Sequence, residues 1–198
     1  MSFVEKIFKF PSLYRWEVIV LKALNGMRNF SLDPLIEKKK IIDIGCGAIQ
    51  YFYAPEKALH RVGIDTTPEM ILEAKRLYPH SEYIVQSGER LPYTDDSFDV
   101  ALLLFVLHHI PENMWETFLK EAKRVAKGEV IILDHVQHDF PFLSLIQRIY
   151  WRLFDGGCAY RKKGAWFPLL QSHGFIVKDY KRMGTMFGNI CYFRLGKA

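Results

Sequence analysis

The stretch Ile41-Ile42-Asp43-Ile44-Gly45-Cys46-Gly47 constrains this chain more than any other. An apolar run ends in an acid and two glycines one residue apart. Such a run reads as a parallel strand covered on both faces. A glycine turn at its C-terminal end lets a ligand approach the backbone, because no Cβ stands in the way. A second apolar run, Arg61-Val62-Gly63-Ile64-Asp65, ends in a carboxylate. It follows the glycine turn by about twenty residues, the spacing at which a strand-end acid accepts from the ribose hydroxyls of an adenosine cofactor. A nucleoside-containing ligand at the C-terminal ends of the first two strands is therefore the first expectation.

The third glycine of the dinucleotide fingerprint is missing, since Gln50 stands in its place. Pro55 predicts that the first helix starts late or is broken, which makes a poor pyrophosphate cradle. S-adenosylmethionine carries adenosine but no phosphate and needs no such cradle. Further motifs follow in order: Gly63-Ile64-Asp65, Gly88-Glu89-Arg90-Leu91-Pro92-Tyr93, Asp95-Asp96-Ser97-Phe98-Asp99 and Val106-Leu107-His108-His109-Ile110. With the glycine motif, they span Lys40 to Asp134. In this set the chain resembles the class I S-adenosylmethionine-dependent methyltransferases, closest the small-molecule type related to quinone-biosynthesis methyltransferases.

The resemblance implies S-adenosyl-L-methionine as cofactor and methyl transfer to a small or lipid-like acceptor. It also implies a residue set. Gly45, Cys46 and Gly47 line the methionine portion through their backbone, and Asp43 orients its ammonium. Asp65 binds the ribose, with Thr66 and Met70 beside it. The acid that usually accepts from the adenine amino group falls at Ser87, a departure; Glu89 or backbone substitutes, and Gly88 keeps the backbone contact. Leu104 and Phe105 are where the chain passes the cofactor. His108, His109 and His135 are candidate proton acceptors at the lip of the sheet. His135 and His138 have no partner set for a metal, and none is expected.

Strands alternating with helices predict an α/β fold: a doubly wound, mostly parallel, seven-stranded Rossmann-like sheet with a C-terminal antiparallel hairpin. Strands are expected at 41–44, 61–65, 81–86, 98–105, 130–134, 175–181 and 189–195. Helices are expected over 3–10 and 13–30, then from Pro68 with Thr67 as cap, from Pro111 to a stop at Gly128, over 140–154 and over 165–173. Asp33-Pro34 is read as a break. The 198 residues suit one domain, with residues 1–32 as cap helices and 139–157 as a substrate-cap insertion. The resemblance implies that Tyr14 and Arg15 touch the methionine end, while the residues themselves favour Tyr14 packing and Arg15 facing water.

The acceptor is narrowed by what is absent. No Asn/Asp-Pro-Pro-aromatic motif follows the fourth strand, where Leu103-Leu104-Phe105-Val106 stands, and no cysteine follows a proline. Nucleic acid is therefore disfavoured, although the net charge is +5. The clusters Lys38-Lys39-Lys40 and Arg161-Lys162-Lys163 read as solvated loop faces. The stripe over 140–154, with Arg148 and Arg152, suits an amphipathic acceptor or peripheral contact with a membrane surface, or equally packing on the sheet edge. Three cysteines without metal spacing and the lack of a signal-peptide pattern suit the cytoplasm. Two alternatives stand: a cofactor- or nucleoside-binding protein without turnover, and an RNA methyltransferase. Oligomeric state is not encoded legibly.

Overall fold

The computed structural model describes residues 27, 29–154, 156–184 and 189–198. The helices expected over 3–10 and 13–30, with Tyr14 and Arg15, lie outside these apart from residues 27, 29 and 30, which are not helical.

The apolar runs form parallel strands β1 (Lys40–Ile44), β2 (His60–Asp65), β3 (Glu82–Val85), β4 (Phe98–Leu104) and β5 (Ala126–Gln137). The two-residue β6 (Arg161–Lys162) pairs with the end of β5. β7 (Phe175–Gly184) and β8 (Asn189–Lys197) form the antiparallel hairpin, with β8 against β5 and β7 outside it. The order is β3-β2-β1-β4-β5-β8-β7, eight strands with β6. Strand order reverses between β1 and β4, and at such a switch point the loops diverge and leave a crevice.

Side chains alternate across the sheet, so each apolar strand feeds two cores. Ile42, Ile44, Ala101, Leu103, Val130 and Ile132 face one side. There they meet α3 (Trp115–Val125) and α5 (Lys163–Ser172), with Trp115 and Trp166 at a ring separation of 5.1 Å. Both indoles are fully buried, and each contributes on the order of 2–3 kcal/mol of transfer free energy. Ile41, Val100, Leu102, Ile131 and Leu133 face the other side, under Met27, Leu32, Ile36, Phe52 and Tyr53.

The connection from β1 to β2 holds no α-helix, only a 3₁₀ turn, Pro55–Lys57. Asp33 opens the single-turn α1 (Asp33–Ile36) and ties this connection down, accepting from the Ala54 amide at 2.7 Å and Lys57 Nζ at 2.6 Å. Asp33-Pro34 thus starts a helical turn and does not break the chain, because proline fits a first turn. α2 (Pro68–Leu77) follows β2, and α4 (Pro141–Phe154) follows β5.

Other boundaries differ for physical reasons. The helix after Pro111 begins as a 3₁₀ turn, Glu112–Met114, and α3 ends at Val125. Gly128 lies inside β5 instead of stopping the helix. β4 and β5 shift register between Phe98 and Val100, and a Cβ at Gly128 would meet the Asp99 carbonyl at 2.9 Å. The expected loop clusters are partly strand: Lys40 opens β1 and Arg161–Lys162 form β6, with the Arg161 guanidinium 5.4 Å above the Trp115 ring. Thr67 occupies the N-cap of α2 without a side-chain cap bond. The Asp65 carboxylate accepts its amide instead.

Candidate active site

β1 stops at Ile44, where Gly45 takes φ +73°. A Cβ there would stand 2.3 Å from Val106 Cγ2, so backbone conformation and space both demand glycine. The Gly45 and Cys46 amides donate to the Ile64 carbonyl at 2.7 and 2.9 Å, which folds the turn against β2. Gly47, also at positive φ, donates to Asp65 Oδ2 at 2.9 Å. Gln50, at the missing glycine, donates from Nε2 to the Cys46 carbonyl at 2.6 Å. A side-chain amide thus satisfies a carbonyl that no helix takes up.

A cavity of about 290 Å³ opens in front of this turn, at the C-terminal ends of β1, β2 and β4. Its wall includes Gly45, Gly47, Asp65, Thr66, Met70, Gly88, Leu104, Phe105 and His109, all expected from the sequence. Ile44, Thr67, Gln86, Val106, Ile110 and Phe118 complete it. Of these, Phe118 reads in sequence only as part of an apolar helix face. It reaches the cavity because Gly88 has no Cβ: one would lie 2.4 Å from Ile44 and 2.8 Å from Phe118. Gln86 follows β3 directly, and its position at a strand end was the available signal. Its Nε2 donates to the Arg90 carbonyl, which leaves the amide oxygen as an acceptor.

Asp43, Cys46, Ser87, Glu89, His108 and His135 lie outside this wall. Asp43 is fully buried on the Tyr53 side of the sheet. Its Oδ2 accepts from Tyr53 Oη at 2.6 Å and Arg61 at 2.9 Å, and Arg61 also donates to Tyr53 and Tyr83. Burial works against the Arg61 charge, but the Tyr53 and Asp43 oxygens hold it protonated well above its ordinary range. Asp43 Oδ1 is buried with no hydrogen-bond partner among the described residues. Ser87 Oγ donates to Glu89 Oε1 at 2.9 Å, so the two candidates for adenine recognition engage each other.

The two adjacent histidines separate clearly. His108 is buried, with Nδ1 2.6 Å from Asp134 Oδ1, whereas His109 is exposed at the cavity. Asp134 accepts from the Leu107 and His135 amides at 2.8 and 2.6 Å and from the His108 amide at 3.3 Å. Burial would raise its pKa, but the nearby His108 with its hydrogen bond, and His135 with its amide, hold it below the usual value. Asp134 and His108 therefore fix the 3₁₀ turn Leu107–His109 that presents His109. His135 packs 5.1 Å from Phe105 and 4.6 Å from Trp151. Phe105 itself has φ +59°, a strained conformation for a bulky residue at the site. Among the described residues no group of three His, Cys, Asp or Glu could hold a metal ion.

These features fit S-adenosylmethionine. The glycine turn admits close approach, both Asp65 oxygens retain acceptor capacity beside their amide donors, and the same wall carries the apolar Ile44, Leu104, Phe105, Val106, Ile110 and Phe118. Residues 42–133 match the family model described as "Methyltransferase domain". Over 183 residues the chain is 28% identical to a demethylmenaquinone methyltransferase of Lysinibacillus sphaericus, covering 86% of this chain and 77% of that one. A possible histamine N-methyltransferase from Thermotoga maritima superposes with TM-score 0.71 at 19% identity, covering 98% of this chain and 99% of its own. Magnesium protoporphyrin IX methyltransferase from Synechocystis, solved with S-adenosylhomocysteine, gives TM-score 0.64 at 19% identity over 100% of this chain and 89% of its own. Together the matches show the Rossmann-like fold of class I methyltransferases and a broad similarity to S-adenosylmethionine-dependent methyltransferases.

Proposed function

We propose that this protein transfers the methyl group of S-adenosylmethionine to a small or lipid-like acceptor of the quinone-biosynthesis type. One observation carries the reading: among the described residues the cavity at the β1/β4 switch point has a single carboxylate, Asp65, bridging the glycine turn and the α2 entry. When bound, the cofactor supplies a sulfonium-activated methyl. The protein's share is position and exclusion of water, and alignment of this kind can be worth about 7–11 kcal/mol. Asp65 takes the ribose hydroxyls, and the Gly45–Gly47 backbone takes the methionine portion. Gln86 supplies a neutral acceptor for the adenine amino group where the family's acid is replaced by Ser87.

His109 is the imidazole at the cavity, and we assign it the acceptor's proton. His108 and Asp134 are positioning residues for that turn. Leu104, Phe105, Val106 and Ile110 give the acceptor side an apolar surface, which suits a hydrophobic ring better than a nucleobase. The relative's substrate supplies the probe. Purified protein given methyl-labelled S-adenosylmethionine and demethylmenaquinone is expected to label the organic phase. His109→Ala is expected to lower kcat at least about tenfold, with little change in cofactor affinity. Cofactor binding without label in any lipid extract would contradict the acceptor class, and absence of cofactor binding would contradict the whole reading.

A further inference from the structure

α4 is built inside out. Its Ser144, Gln147 and Trp151 are buried, while Phe142, Leu145, Ile146 and Ile149 are exposed, at 72, 55, 45 and 51%. Phe140, just before the helix, is 68% exposed. The polar inner face is held by specific bonds. Gln147 donates to the Val136 carbonyl at 3.2 Å and accepts the His138 amide at 2.8 Å. Trp151 packs at 4.6 Å on His135 and 4.4 Å on Tyr160. The apolar side therefore faces outward by construction. Other large exposed apolar residues, Leu59, Leu72, Val85 and Ile176, are scattered singly along the chain, as is normal for a soluble surface. Four on one helix face mark a contact surface.

Charge says what covers it. Residues 139–184 carry eight Lys and Arg against three Asp and no Glu, whereas the rest of the chain is balanced at nineteen against nineteen. The formal excess of positive charge thus falls in the sequence segment that contains α4, where Arg161 and Lys178 pair with Glu112 and Glu129 outside it and the other cations remain for the face near the helix. Arg148 lies on the helix itself, Lys162 lies in the strand beside the end of β5, and Arg182 is paired with Asp139 at its entrance. A second copy of the chain would bring this excess against itself. An anionic lipid surface complements both the apolar stripe and the charge, with the stripe sunk to the headgroup–acyl boundary. No described helix is long and apolar enough to cross a membrane.

We propose that α4 docks this protein peripherally on an anionic bilayer. The inner face of the same helix then links the bilayer to the site, through Trp151 and His135 to the cavity residue Phe105. The test is flotation of the full chain with vesicles of equal parts phosphatidylglycerol and phosphatidylcholine, and with phosphatidylcholine alone. Binding is expected only to the anionic vesicles, falling as salt rises. The double variant Leu145→Asp/Ile149→Asp is expected to lose binding at least about tenfold, with unchanged affinity for S-adenosylhomocysteine. Vesicle binding and cofactor affinity are read separately, so failure of docking and failure of the proposed activity are distinguishable. Docking is overturned by absence of flotation, by equal flotation on both vesicles or by full flotation of the variant. A dimer in sedimentation that the variant dissolves overturns it in favour of self-association.

Discussion

Asp43 and Asp65 end neighbouring parallel strands, yet one is sealed in the sheet and the other stands at the cavity. β1 and β2 pair Asp43 with Gly63, so Asp65 lies two residues beyond that level. By alternation both acids belong to the same face. Asp43 still has sheet around it and lies against Arg61 and Tyr53. At the level of Asp65, β1 has already turned at Gly45, so the carboxylate bridges to the Gly47 and Thr67 amides instead. Two residues of strand length separate a buried ion pair from a cavity-facing acid.

The largest expected effect tests the sealed side. Arg61→Ala would leave the buried Asp43 carboxylate without its cation, and loss of one partner of such a pair costs about 3–5 kcal/mol. Urea denaturation measures this, and a loss below about 1 kcal/mol would mean that Asp43 behaves like a surface acid. Next comes the turn between the two acids. Gly45→Ala imposes a left-handed conformation costing about 1–2 kcal/mol, and its Cβ must displace Val106 at the cavity wall. It is expected to weaken cofactor binding and to lower the urea midpoint together. If only one of them falls, turn geometry and site are not coupled as described.

A third carboxylate sharpens the contrast through pH. Asp134 is buried like Asp43, but it holds the turn that presents His109. Its pKa is lowered by folding, so its contribution to stability is present above its unfolded value near 3.8 and is lost as pH falls through the folded value. Asp134→Asn is expected to flatten the acid limb of the stability profile between pH 4 and lower values, by an amount on the order of 1–3 kcal/mol. An unchanged limb in urea titrations would remove Asp134 from the acid response. The smallest effect is expected at Glu116–Lys120, an exposed pair on α3. Glu116→Gln should cost under about 0.5 kcal/mol, and it calibrates the buried acids against the surface.

The parallel strands were legible because each is an apolar run, and the site was legible where chemistry needs a particular residue at a strand end. Gly45, Gly47, Asp65 and Gly88 met both conditions and line the cavity. Asp43 satisfied the motif equally well, but inter-strand register, which the apolar run does not encode, leaves it two residues short of the level of Asp65 with sheet still around it. Gln86 and Phe118 were missed: Gln86 offered only its strand-end position, being an ordinary amide, and Phe118 is an ordinary core position until Gly88 lets the helix approach. Gly128 was misleading because a glycine after a helix and a glycine at a strand irregularity look alike in sequence. His108 and His109 could be told apart only once Asp134 claimed one of them.

The central claim is that Asp65 holds the sugar of an adenosyl ligand at the β1/β4 crevice. Calorimetric titration of wild-type protein and Asp65→Ala with S-adenosylhomocysteine tests it most directly, with circular dichroism to verify that the variant is folded. Two hydrogen bonds to a charged acceptor, each worth about 1.5–3 kcal/mol, predict an affinity loss of at least about tenfold in the folded variant. Equal affinity of the two proteins would contradict the claim.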